Sequence, residues 1–224
     1  WPAGFILLAA ITLLPLPLVL KNKETERTAN ARFEWGAFKS FKQLPVIALG
    51  VLGALYSLII NGANQLVNPF LADRFSINLT TAGYIAMVMG LGTMAGGLIG
   101  GSITDRIGQK RSVQAAVIAS IFGVGALPFI SMPWMAWLLV FTFGFSFGFY
   151  ETIYFAISMR KTDGRIAATM FSILMAVANI GTGIGLALTG FLSDLAGFTI
   201  AFFILAALNF LALPLIGVIF KKNA

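Results

Sequence analysis

The 224-residue chain has no cysteine and no histidine. Disulfide scaffolds are excluded, and so are thiolate or imidazole sites for zinc, haem and iron–sulfur clusters and histidine-based triads. No metal and no cofactor is expected. Charge is scarce too. Charged residues make up 10% of the chain and apolar residues 58%, against roughly 25% and 45–50% in soluble domains. Mean hydropathy is +0.92. So few charges cannot cover a water-facing surface, which leaves lipid as the main solvent. No biased repeat is present either, which excludes collagen-like and low-complexity disordered classes.

What is present is a series of long apolar runs. A helix of roughly 17–25 apolar residues crosses a hydrocarbon core of about 30 Å, and only helices or closed barrels satisfy the backbone there. The runs are too long and unbroken for barrel strands. They predict an all-α membrane protein with seven transmembrane helices: Trp1–Leu20, Leu44–Leu66, Thr81–Ile103, Ser112–Ile130, Trp134–Ser158, Ala167–Leu192 and Thr199–Phe220. The first is no secretory signal, because its basic residues follow the apolar run. Pro15 and Pro17 are expected to kink or end it. A chain that opens on Trp1 reads as a fragment or processed product.

The net charge of +7 is topological. Lysine and arginine follow the first, third, fifth and last runs, and Arg74 alone stands on the other side. Cytoplasmic loops hold such an excess, so the C-terminus is expected in the cytoplasm of a plasma (bacterial inner) membrane. A nucleic-acid surface would not alternate with membrane spans, and none is expected. Residues 21–43 are the longest polar stretch and the candidate boundary between residues 1–20 and 44–224. Their aromatics fit either a short interfacial helix or a flexible linker with a few anchors. Asn78-Leu79-Thr80 fits the glycosylation triplet, which is common by chance.

Two span ends match. Gly101-x3-Asp105 is followed by Gly108, and Gly190-x3-Asp194 by Gly197, 89 residues later and on the opposite face by the charge count. A three-plus-three inverted repeat would produce this pattern. Gly101-x3-Asp105-Arg106-x-Gly108-x-Lys110-Arg111 resembles the signature loop of the major facilitator superfamily, with Gln109 where a basic residue is usual. The resemblance implies two pseudo-symmetric six-helix halves around a central cavity that opens alternately to each side. On it, residues 1–20 are the sixth helix, 21–43 the central linker and 44–224 the C-terminal six-helix domain. The N-terminal half becomes an expected partner, with lipid and a small-molecule substrate. More loosely, Arg160-Lys161-Thr162-Asp163-Gly164-Arg165 running into Ala168-Thr169-Met170-Phe171 resembles the AmpG-type muropeptide permease and acetyl-coenzyme A transporter branch.

Gly92, Gly96 and Gly100 recur at every fourth position, a ladder that lets helix backbones approach closely in lipid. By the resemblance, Gly101, Asp105, Arg106, Gly108, Lys110 and Arg111 form a conformational latch. Asp105 would face the segment Thr162–Ala168, with Arg106, Lys110, Arg111 or Arg165 as ion-pair partners. The plain alternative is a basic loop that only sets topology. Glu151 is the ionisable residue well inside a span. A charge there costs at least ~2.5 kcal/mol on insertion scales, so it faces a cavity or a partner. It is a candidate for proton coupling, or else a structural carboxylate. Asn61, Asn64, Gln65 and Asn68 share one helical face, suited to lining a cavity or to joining helices. In the resembling family the spans that carry this stripe and Glu151 line the cavity. Tyr150, Asn179 and, more weakly, Tyr154 complete the set.

The expected function is secondary active transport of a small polar organic solute by alternating access, coupled to protons. The alternative is a transport-inactive scaffold or receptor on the same fold. A channel would want rings of charged or carbonyl-lined positions. An intramembrane enzyme would want a nucleophile with a base, so no enzymatic activity is expected. The orientation is testable: cysteines introduced beside Lys110 or Lys221 are expected to escape an impermeant maleimide applied to sealed cells, and external labelling there would overturn it.

Overall fold

In the computed structural model, residues 2–21 and 35–221 are described, and all regular structure among them is helical. The chain divides into two units, with the boundary after Phe33. The first holds α1 (Pro2–Leu13) and α2 (Leu16–Lys21), separated by a turn at Leu14 and Pro15. Twelve residues rise only about 18 Å, so α1 is a shorter apolar helix than the span expected over Trp1–Leu20. The prolines that interrupt the run are the cause.

The second unit contains α3 (Leu44–Phe75), α4 (Leu79–Ile107), α5 (Gln109–Gly125), α6 (Pro133–Lys161), α7 (Ala167–Leu208) and α8 (Ala212–Ile219). Pro45 and Pro133 lie in the first turns of α3 and α6, where the missing N–H costs nothing. Asn78 caps α4: its Oδ1 accepts from the Thr81 N–H at 2.8 Å. The glycosylation-like triplet is thus spent on starting a helix. α3 runs past the expected end at Leu66, through Pro69, to Ser76 in the left-handed conformation.

By length and composition, five helical stretches among the described residues can cross a membrane, against the seven expected. The difference lies at both ends of the chain. The final stretch, Gly164–Ile219, is 56 residues long, about 84 Å if straight. It is not straight. Gly197 leaves helical geometry at φ 82° and ψ 165°, which splits the stretch where the sequence separates Leu192 from Thr199. Gly108 does the same between α4 and α5, at φ 82° and ψ 159°. Both positions demand the left-handed freedom of glycine. A 3₁₀ turn at Asn209–Leu211 then separates α7 from α8, whose first turn holds Pro214.

Two glycine seams organise the unit. In one, Gly92, Gly96 and Gly100 of α4 lie on the backbone at Phe141, Phe145 and Phe149 of α6, while Gly144 and Gly148 lie on the carbonyls of Met89 and Thr93. In the other, Gly181 and Gly185 of α7 lie on Ala54 and Leu58 of α3, and Gly62 meets Thr189 and Gly185. Side chains fill the rest: Leu49, Leu52, Ile59 and Ile60 of α3, Val113 and Val117 of α5, and Phe202 and Leu205 of α7 are buried. A Cβ at Gly148 would collide with the Thr93 carbonyl, whereas one at Gly190 meets open space. Gly148→Ala is therefore expected to destabilise by about 1–3 kcal/mol, and Gly190→Ala to be neutral or stabilising by up to ~1 kcal/mol. Thermal melts of the two variants in detergent check this.

Candidate functional site

The expected site residues separate into a polar band between the helices and a cluster on the basic face. In the band, the four amides of α3 do not act alike. Asn61 turns toward α7. Its Nδ2 donates to the Ser57 carbonyl at 3.0 Å, the Ser57 Oγ at 3.1 Å and the Thr182 Oγ1 at 3.2 Å. Ser57 and Thr182 share a hydroxyl hydrogen bond of 2.7 Å. This clasp joins α3 to α7 beside the Gly181 seam, so Asn61 serves as glue between helices. Asn64 and Gln65 are exposed, and Asn68 is half-buried. Asn179 is exposed on α7.

α6 meets α3 through aromatic rings. Tyr56 packs against Tyr150 and Tyr154 with tilted rings, at centroid distances of 5.0 and 5.1 Å. Tyr150 is only 1% exposed. The structure thus places it inside the bundle, not on a cavity wall, with Tyr154 equally buried. Glu151 is half-buried, and its carboxylate lies beside the Tyr56 hydroxyl. Neither Tyr56 nor Ser57 stands out in the sequence. Ser57 lies four residues before Asn61, the one signal that pointed to a shared role. Two hollows in this unit are apolar: one of about 430 Å³ is lined by Phe122, Phe129, Phe203 and Phe210, and one of about 230 Å³ by Phe41, Ile47, Val51 and Ile173. Neither includes Asn64, Gln65 or Glu151.

On the basic face, Asp105 ends α4 and its Oδ1 accepts from Arg160 Nη2 at 3.1 Å. The partner is thus at the end of α6, and not one of Arg106, Lys110, Arg111 or Arg165. Arg106, Lys110 and Arg111 are exposed around the turn at Gly108. Gly101 has only Thr152 within reach of a Cβ, at 4.0 Å, so the tight ladder is Gly92–Gly96–Gly100. Arg165 is taken by Asp163, whose Oδ1 accepts from its Nε at 3.0 Å and from its backbone N–H at 3.1 Å. Asp163 Oδ2 accepts from Arg165 Nη2 at 2.8 Å and from Ser40 Oγ at 3.2 Å.

Ser40 belongs to a 3₁₀ helix, Trp35–Lys42. Of the polar stretch 21–43, residues 22–34 lie outside the described residues. Phe38 and Phe41 pack against Val46, Ile166 and Met170. They serve a small protein core, a use that neither sequence reading of this stretch included.

The matched family now has a structural frame. The profile of the Major Facilitator Superfamily matches residues 1–177. The chain belongs to this superfamily. A protein of Arabidopsis thaliana described as a candidate glycerol-3-phosphate transporter is 28% identical over 212 residues, covering 88% of this chain and 40% of its own length. Among solved structures, a bacterial homologue of the human lysosomal transporter Spinster, inward-facing and unoccupied, superposes with a TM-score of 0.54 at 17% identity. That match covers 89% of this chain and 50% of the other. The likeness supports the fold. The chain spans half or less of the length of these relatives.

The Arg165 side chain and backbone N–H hold the Asp163 carboxyl well below the usual carboxylate range. A carboxyl whose folded value is depressed contributes above its unfolded value, and loses that contribution only as pH falls through the folded one. Asp163→Asn is thus expected to lower the melting temperature by a constant amount from about pH 8 to about pH 5. Melts across that range check it.

Proposed function

We propose that this superfamily member is part of a secondary transporter that moves a small polar organic solute by alternating access, coupled to protons through Glu151. Its orientation puts the basic loops in the cytoplasm of a plasma (bacterial inner) membrane, and a second half of similar size completes the cavity. The observation that carries this reading is the position of Glu151. It is a carboxylate inside a span, beside Tyr56, where the glycine seams leave α3 and α6 joined mainly by rings. A charge so placed is kept in membrane proteins when it faces water, cargo or a partner.

The basic-face cluster supports the moving part of the reading. Asp105 and Arg160 are mostly exposed, at 71% and 57%, so their pair adds little stability, about 0–1 kcal/mol. A weak tie between the ends of α4 and α6 is suited to breaking and re-forming as helices rock. The cargo follows less directly. The relative's description makes glycerol 3-phosphate the first solute to test. Lysine and arginine are absent from the interiors of all spans from Leu44 onward, so an anionic group on such a cargo would find its cation in the other half.

The full-length protein in proteoliposomes, offered labelled glycerol 3-phosphate and a panel of sugars with and without a proton gradient, tests the reading. Gradient-driven uptake of one of them is expected. Glu151→Gln is expected to abolish its pH dependence, and Asp105→Asn to slow it several-fold at normal expression. Uptake that keeps its pH dependence in Glu151→Gln would remove the proton role. Unchanged kinetics in Asp105→Asn would remove the latch.

A further inference from the structure

The hollow of about 230 Å³ next to the 3₁₀ helix takes no part in the polar band. Ile47, Gly50 and Val51 of α3 and Ile173 and Val177 of α7 line it, with Phe41 of the 3₁₀ helix at its basic-face end. Val51 lies seven residues into α3 and Val177 ten into α7. The hollow therefore reaches about 10–15 Å in from the basic-face ends of both helices. In a hydrocarbon core of about 30 Å that is the depth of one leaflet's acyl chains. Ile47, Val51 and Ile173 are exposed, and Gly50 adds no side chain to fill the space between them.

The 3₁₀ helix brings charge to the same end. At three residues per turn, positions three apart eclipse one another. Phe38 and Phe41 thus share a face, their stacked rings 6.0 Å apart, and this face is seated on Val46, Ile166 and Met170. Ser40 lies on a second face and is tied to Asp163. Lys39 and Lys42 share the third, and both are exposed. The Asp163 carboxylate is already taken up by Arg165 and Ser40. Among the described residues neither lysine has an ionic partner.

Two ammonium groups without a counter-charge therefore stand at the end of an apolar groove one leaflet deep. We propose that this groove holds an anionic phospholipid of the leaflet on the basic side, its phosphate on Lys39 and Lys42 and one acyl chain along Ile47 and Val51. Lysine binds phosphate as a point charge, and basic pockets at the ends of spans collect anionic headgroups. A lipid with a net-neutral head would leave the second lysine uncompensated, and a free phosphate would leave the groove empty. The bound lipid bridges the starts of α3 and α7 on the side where Phe41 already covers them. The site is separate from Glu151 and does not depend on the transport reading.

The full-length protein in nanodiscs that contain a phosphatidylglycerol with a diazirine in its acyl chain tests the proposal. Illumination is expected to label residues 41–51 and 173–177 several-fold more densely than other lipid-facing segments, read by peptide mass spectrometry. Raising unlabelled phosphatidylglycerol at constant total lipid is expected to lower that labelling several-fold more than the same rise in phosphatidylethanolamine. Lys39→Gln with Lys42→Gln is expected to abolish the difference between the two lipids. Val51→Trp, at an exposed position where an indole would fill the groove, is expected to lower labelling several-fold with both lysines intact. Labelling no denser here than elsewhere, the outcome if a helix of the other half fills the groove, overturns the proposal. Equal competition by the two lipids, or labelling unchanged in both variants, overturns it as well.

Discussion

In lipid no hydrophobic force draws one apolar helix to another, so helices hold together only where their surfaces meet closely or share hydrogen bonds. The close contact of backbone on backbone at the glycine seams is the constraint on which this unit rests. α4 lies on α6, and α3 on α7, with glycine facing main-chain carbonyls at four-residue intervals. A side chain at those positions would push the helices apart and open voids that lipid tails fill poorly.

The seams sort the polar residues into fastened and open ones. Asn61 sits beside the α3–α7 seam, where its amide completes a clasp with Ser57 and Thr182. The cost of an unsatisfied amide in hydrocarbon makes that use natural. Asn64 is three residues on, past the seam contact, and stays exposed. At the junction of α3 and α6 glycine meets a side chain instead of backbone, Gly53 lying against the Tyr154 ring. The junction is packed by Tyr56, Tyr150 and Tyr154, with the half-buried Glu151 beside Tyr56.

The basic face repeats this division at a smaller scale. The short segment from Arg160 to Ile166 holds the end of α4 through Asp105, the 3₁₀ helix before α3 through Ser40, and its own turn through Arg165. Phe38 and Phe41 give that 3₁₀ helix an apolar seat on Val46, Ile166 and Met170. The residues just ahead of α3 are thereby part of the second unit, which accounts for a boundary at Phe33 instead of at the first residue of the helix.

Composition and periodicity were enough to assign lipid as the solvent, helices as the elements, and near-correct spans for α3 to α6, because hydrocarbon tolerates so few alternatives. The spacing of Gly101, Asp105 and Gly108 against Gly190, Asp194 and Gly197 marked both helix breaks, since a left-handed turn between spans leaves little choice but glycine. The sequence could not say which amide was fastened and which open, because four residues on one stripe differ only in what packs opposite them. Nor could it show that Tyr150 is buried or that Asp105 finds Arg160. Those outcomes depend on how two distant helices are set against each other. That register is decided by the fit of glycine on carbonyl, a property of the assembled pair and of neither helix alone.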